Sequence, residues 1–383
     1  MSVLNIQKAP LKLKNLHSFS QHIIKVIVNL REHSITIKLY TMKKLSFLLS
    51  LFFLSIITVY AQNIYTVNNN IGASANFNDL QVAVNTVPAN SILLVHGSAI
   101  TYGNITVRKP LSIIGTGYFI GSNQAPYTQA NLGTSKLYRL TLDAGSNGSL
   151  VSGLTIDNWL VVDSTSNVTV SRNFINHGSY STISYSTNVQ FIQNYSNANL
   201  EMHYSTVTIT NNIFYNNSYL NNNYTTTTIS NNIFDRNSNS YSVLNLGSGS
   251  SSNFSNNILI NSATSASSTI CGGCGAALTA TNNVSSDSTF RGTNNAVLNA
   301  GITTIFSQYN NSNTSFDSKY ILTSGSPALG AGTGNTDAGI FAGINSYVLS
   351  GIPFIPNIYG LEIPNIGTTG SGLKVRIKAQ TNN

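Results

Sequence analysis

Charged side chains make up only 8% of this 383-residue sequence, so the few that could do chemistry stand out. Leu160-Val161-Val162-Asp163 and Leu200-Glu201-Met202-His203 share one alternation. With Leu160, Val162, Leu200 and Met202 pointing inward, Asp163, Glu201 and His203 fall on one outward strand face. Two carboxylates and an imidazole are the groups that general acid–base cleavage of a glycosidic bond uses. Two intervening strand spacings would separate the carboxylates by about 10 Å. That is at or past the ~6.5–9.5 Å of an inverting pair and well past the retaining distance. A second set, Asp157, His177 and Arg236, belongs to a series that also holds Ala198, Asn216 and Asn261. Asp157 beside His177 would polarise the imidazole. The competing reading of both sets is that they are solvated turn residues, the commoner fate of such positions.

The only cysteines, Cys271 and Cys274, form Cys-Gly-Gly-Cys. In an exported chain this spacing suits a local disulfide that pins a tight loop. A redox motif would open a helix within a βαβ unit, and no such pattern is present. A zinc site would need two more ligands at a useful spacing, and none is found. No cofactor is implied.

The elements that must position these residues come from an internal repeat. Val168-Thr169-Val170-Ser171-Arg172-Asn173-Phe174 recurs as Val207-Thr208-Ile209-Thr210-Asn211-Asn212-Ile213, as Ile229-Ser230-Asn231-Asn232-Ile233 and as Phe254-Ser255-Asn256-Asn257-Ile258. Looser copies lie at Phe191-Ile192-Gln193-Asn194-Tyr195 and Leu278 to Val284. The marker residues are Asn173, Asn194, Asn212, Asn232, Asn257 and Asn283, with Gly153 taken as the marker one coil earlier. Val170, Phe191, Ile209, Ile229 and Phe254 are expected to point inward. The residues just after the marker, Phe174, Tyr195, Ile213, Ile233 and Ile258, are also expected inward. Strand, bend, strand is the implied local structure, with the marker as the left-handed bend residue. Coils of about 20 residues with strands stacked in register make a parallel β-helix, and stacked marker side chains can form an amide ladder.

Phe77-Asn78-Asp79-Leu80-Gln81-Val82-Ala83-Val84-Asn85 resembles the helix that caps the first coil of pectin-lyase-like β-helices, and Ile105 to Gly115 resembles their first full coil. Ser326-Pro327-Ala328-Leu329-Gly330 and Asp337-Ala338-Gly339-Ile340-Phe341 are similar to the closing segment of many secreted bacterial β-helices. The resemblance spans roughly residues 64–345 and implies an all-β, right-handed parallel β-helix with an N-terminal capping helix. Beyond it, Leu373, Val375, Ile377 and Ala379 alternate with Lys374, Arg376 and Lys378. This strand is expected to pair with Ile358 to Ile363 as a C-terminal β-hairpin cap.

The activities of that family leave little trace. Pectate-lyase-like enzymes need clustered carboxylates for Ca²⁺ and a neighbouring Arg or Lys as base. Arg172 and Arg236 lack such neighbours in the sequence. Polygalacturonase-like enzymes carry four ordered motifs. Asn335-Thr336-Asp337 and Arg376-Ile377-Lys378 match two, but both follow the repeats with neither middle motif between them.

The formal charge of +8 is local. Residues 1–61 hold eight Lys/Arg against one acid, and the rest of the chain carries a net +1, so nucleic-acid binding has no electrostatic support. Met42-Lys43-Lys44, the apolar run to Val59 and Val59-Tyr60-Ala61 read as a signal peptide. The run is shorter than the ~20 residues a membrane span needs. The expected organisation is an upstream extension at 1–41, a signal peptide at 42–61, a β-helix at 62–349 and a linker with hairpin at 350–383. The primary functional expectation is a secreted or cell-surface protein, non-catalytic, whose polar faces and interspersed tyrosines bind a polysaccharide or cell-surface glycan. The alternative is a polysaccharide lyase or glycoside hydrolase with an atypical site. A third reading, ice binding by the outward row Thr169, Thr208, Thr228 and Thr279, is weakened by Gln190 and Asn253 interrupting it.

Overall fold

The computed structural model describes residues 62–177, 180–216, 218–236, 242–261, 270–271, 274, 277–285, 294–297, 301–363 and 372–381, with 20–35, 38 and 42–44 of the leader. Met1–Ala61 and Gln62–Asn383 are separate compact units. In the first, residues 20–35 are helical, and the apolar run expected to be a signal segment lies outside the described residues. Among the described residues no helix is long and apolar enough to cross a membrane.

Each coil of the second unit lays down three short strands. Thr169–Ser171, Phe174–Ile175 and Tyr180–Ser184 make one coil, followed by Val189–Ile192, Tyr195–Ser196 and Asn199–His203. Strands one coil apart pair in parallel, which builds sheets of ten, nine and seven strands and makes the unit a parallel β-helix. The register is strict. Val170, Phe191, Ile209, Ile229 and Phe254 stand in one inward column of the ten-stranded sheet. The row Thr169, Gln190, Thr208, Thr228, Asn253, Thr279 runs beside it.

The interior is apolar and stacked. Phe191, Phe214, Phe234 and Phe254 lie ring over ring with centroids 6.1, 5.0 and 5.6 Å apart. Burying each such side chain contributes about 1.5–3 kcal/mol. One interior corner is amide. Asn173, Asn194, Asn212, Asn232, Asn257 and Asn283 are fully buried. Each Nδ2 donates to the next Oδ1 at 3.2, 3.1, 3.0, 3.0 and 3.0 Å, and Asn283 continues the chain to Asn295 at 2.9 Å. Each Oδ1 also accepts the backbone N–H of the preceding rung, which satisfies the donor that the bend removes from the strand ladder. The corner between the seven- and ten-stranded sheets uses hydroxyls in the same way. Ser186, Ser205, Thr225 and Ser250 each accept the backbone N–H of the residue one coil below.

The bend differs from the sequence expectation in three linked ways. The left-handed residue is the one before the marker: Arg172, Gln193, Asn211, Asn231, Asn256 and Asn282 all have φ between 54° and 57°. Gly153, at φ 70°, pairs with this column, since Ser152 lies opposite Ser171. The residues after the marker also face outward instead of inward. With each marker side chain turned into the core, alternation sends Phe174, Tyr195, Ile213, Ile233 and Ile258 to the outer surface, where they form a second apolar cluster.

That cluster is covered by the chain itself. Residues 301–356 return along the outside of the nine-stranded sheet, and Ile305, Phe306, Tyr320, Ala328, Ile340 and Tyr347 join its core. The left-handed column pins this return segment. Asn211 Nδ2 donates to the carbonyls of Ile340 and Ala342, Gln193 Nε2 to that of Asn345, and Arg172 Nη1 to that of Ile352. The guanidinium of Arg172 also lies 3.6 Å from the centre of the Phe354 ring. A segment read from sequence as a closing motif and linker is thus a strap.

The ends are managed separately. Leu80–Thr86 is a helix with Leu80, Ala83 and Val84 buried and Asp79 as its N-cap. Gln81 exchanges two hydrogen bonds with the backbone of Thr106 on the edge strand Asn104–Val107, satisfying groups that an open edge would leave unpaired. Asn357–Glu362 and Arg376–Gln380 form the expected antiparallel hairpin. Its hydrogen bonds go to Pro126, Thr128 and Ala130 in a loop of an early coil. Residues 364–371, which join the two strands, lie outside the described residues. Cys271 and Cys274 are joined as a disulfide with Cα atoms 5.8 Å apart.

Candidate functional face of the seven-stranded sheet

Leu160–Asp163, Tyr180–Ser184 and Asn199–His203 are adjacent strands of the seven-stranded sheet. Leu160, Val162, Ile183, Leu200 and Met202 are buried, which turns the alternate residues to solvent. Asp163, Ser184 and His203 are in register in one outward column, and Val161, Thr182 and Glu201 in the next. The first predicted set therefore shares one face. His203 Nε2 lies 4.0 Å from Glu201 Oε2, and the side chains are 33% and 26% exposed. Asp163 and Glu201 are two strands apart and two residues along, a backbone separation of about 12 Å. This backbone spacing is wider than the sequence estimate of about 10 Å.

The second predicted set is not brought into register. Ile156 pairs with Ile175, which puts Asp157 level with Asn176 and not with His177. The slip follows from taking Gly153 as a marker. Asp157 is exposed, His177 is half-buried and Arg236 is buried. Burial lowers the pKa of both His177 and Arg236. The three do not share a surface.

Aromatic side chains border the polar face on both sides. At the C-terminal ends of the strands stand Tyr185, Tyr204 and Tyr224, one per coil. Their rings are parallel to within 3°, with centroids 5.2 and 4.9 Å apart. The stack ends over Gly249, where a Cβ would come within 2.6 Å of the Tyr224 ring. All three tyrosines have φ of 49–50°, a conformation that Asn or Gly adopts at lower cost, and all three are exposed. At the other ends of the strands Trp159, Tyr180 and Tyr219 follow one another coil by coil, with Asn199 between the last two. The Arg139 guanidinium sits 5.2 Å from the Trp159 ring centre. From Tyr180 to Tyr185 the floor is about 16 Å across and carries Thr182, Ser184, Glu201, His203, Asn221 and Asn223.

The tyrosine border is itself a repeat in the sequence, distinct from the Asn motif. Tyr185-Ser186-Thr187, Tyr204-Ser205-Thr206 and Tyr224-Thr225-Thr226 recur with the same period as the Asn motif. In each, the aromatic residue faces out and the following hydroxyl builds the interior corner.

Such a face offers ring edges, a single indole face and many neutral hydrogen-bonding groups. Among the described residues no three His, Cys, Asp or Glu side chains gather as a metal cluster. Compared with known proteins, the sequence matches no family model and no curated protein.

Proposed function

We propose that the chain is an exported, non-catalytic β-helix protein of the pectin-lyase-like kind that holds a polysaccharide or cell-surface glycan on its open seven-stranded face. The tyrosine stack carries this reading. Three consecutive coils place a bulky residue where the backbone disfavours one, at a cost of about 1–2 kcal/mol each, and then leave it exposed. Exposed residues held in a sparsely populated backbone region cluster at binding sites. Tyrosines beside neutral amide and hydroxyl groups suit sugars, which offer apolar ring faces and many hydroxyls.

Glycan-array and pull-down binding tests the proposal. Wild-type protein is expected to bind, Glu201→Gln and His203→Ala to retain binding, and Tyr204→Ala to weaken it roughly tenfold, about 1.4 kcal/mol. Absence of binding to any glycan or cell surface would overturn it. The contact between Glu201 and His203, with Asp163 in the neighbouring column, keeps an atypical lyase or hydrolase as the second reading. New reducing ends or unsaturated products from a polysaccharide panel, lost in Glu201→Gln, would establish it.

A further inference from the structure

The covered nine-stranded face contains a different kind of site. Where the strap crosses Ile233–Arg236, a cavity of about 350 Å³ opens to solvent between the sheet and residues 309–320. Its walls are mainly rings: Tyr195 and Tyr215 from the sheet, Tyr309, Phe316 and Tyr320 from the strap. Asp235 reaches this cavity and is only 4% exposed. Tyr320 Oη donates to its Oδ2 at 2.7 Å, and Tyr309 Oη lies 3.0 Å from both carboxylate oxygens.

Two hydroxyl donors satisfy at most half of the acceptor capacity of a carboxylate, and neither carries a positive charge. Among the described residues no ion pair reaches Asp235. The cation at hand, Lys319, rests its ammonium 5.0 Å from the centre of the Phe316 ring. The walls thus already hold one ammonium by its attraction to an aromatic face, beside a carboxylate that lacks a cation in contact. A buried charge left this way is costly, since burial pushes the Asp235 pKa up to about 6. The cost is recovered when a ligand supplies the missing charge.

We propose that this cavity binds an organic ammonium group, with Asp235 as counter-ion and the surrounding tyrosine and phenylalanine rings as its walls. Carboxylate and ring faces together select a cation with an apolar coat over a hydrated metal ion or a neutral molecule of the same shape. Lys319 is its internal competitor. The inference is independent of the glycan reading, because it uses a different sheet and different residues.

Calorimetric titration of the full chain with tetramethylammonium chloride, against sodium chloride and tert-butanol, is the test. Saturable binding of tetramethylammonium alone is expected, at millimolar concentrations. Asp235→Asn should weaken it roughly tenfold and Lys319→Gln should tighten it severalfold. Tyr215→Ala removes a wall without touching either hydrogen bond to Asp235, so it should weaken binding in a chain whose thermal unfolding is unchanged. Equal uptake of tert-butanol, no saturable uptake, or unchanged affinity in Tyr215→Ala would each overturn the proposal.

Discussion

The nine- and seven-stranded sheets are built from the same coils, yet one is covered and the other open. On the nine-stranded sheet the outward column is Phe174, Tyr195, Ile213, Ile233 and Ile258, and the strap lies over it. On the seven-stranded sheet the outward columns described above are, apart from Val161, Thr, Ser, Asn, Glu, His and Asp, bordered by exposed tyrosines. The difference teaches that the coil supplies only a frame. What each face becomes is decided by its outward residues, because apolar columns recruit a cover and polar ones remain available to a ligand.

The largest effect should come from the frame that both faces share. Asn232→Ala removes the acceptor for the Asn212 N–H and side chain, and the donor to Ile209 and Asn257. A loss of about 3–5 kcal/mol is expected in denaturant unfolding, because several buried groups lose partners together. Unfolding confined to one face would break the view of a common frame.

Next come matched truncations on the two faces. Ile233→Ala lies beneath the strap and should cost about 2–4 kcal/mol, whereas Thr182→Ala on the open face should stay within about 0.5 kcal/mol. Equal costs would mean that the strap contributes no cover.

A pH effect should belong to the covered side alone. Folding raises the Asp235 pKa from 3.8 to about 6, so the folded state holds the proton more tightly than the unfolded chain. Its contribution to stability is present below pH 3.8 and is lost as pH rises through 6, by up to roughly 2–3 kcal/mol. Thermal unfolding across that window should show a downward slope that Asp235→Asn reduces, the remainder belonging to Asp317, whose carboxyl burial also raises.

A small stability change is expected at the tyrosine border. Tyr204→Gly relieves the left-handed backbone while removing two ring contacts, so the net cost should be about 1 kcal/mol. Its effect on glycan binding should be larger than its effect on unfolding. The reverse ranking would make the stack structural.

The amide ladder was legible because one residue type recurs wherever the chain makes one demand, a buried group that caps the backbone on both sides. The inward column of the ten-stranded sheet was equally clear, from strict alternation at Thr169 and Val170 or Thr208 and Ile209. The phase after the bend was not. Ile213-Phe214, Ile233-Phe234 and Ile258-Leu259 are apolar at both positions, so alternation cannot say which points inward until the cover is known. The strap has no repeat of its own, and its docking depends on contacts between residues as distant as Arg172 and Ile352. The shared face of Asp163, Glu201 and His203 could be read from local alternation. The cavity at Asp235 could not, because its second wall arrives with the strap.

The single tryptophan of the chain, Trp159, stands on the border of the open face. Titrating its fluorescence with glycans that the protein retains on an array is therefore the most direct test of that face as the binding surface. The account predicts a saturable change in Trp159 emission that Tyr204→Gly weakens. Glycan binding measured by calorimetry with no change in Trp159 emission would place the ligand elsewhere and contradict it.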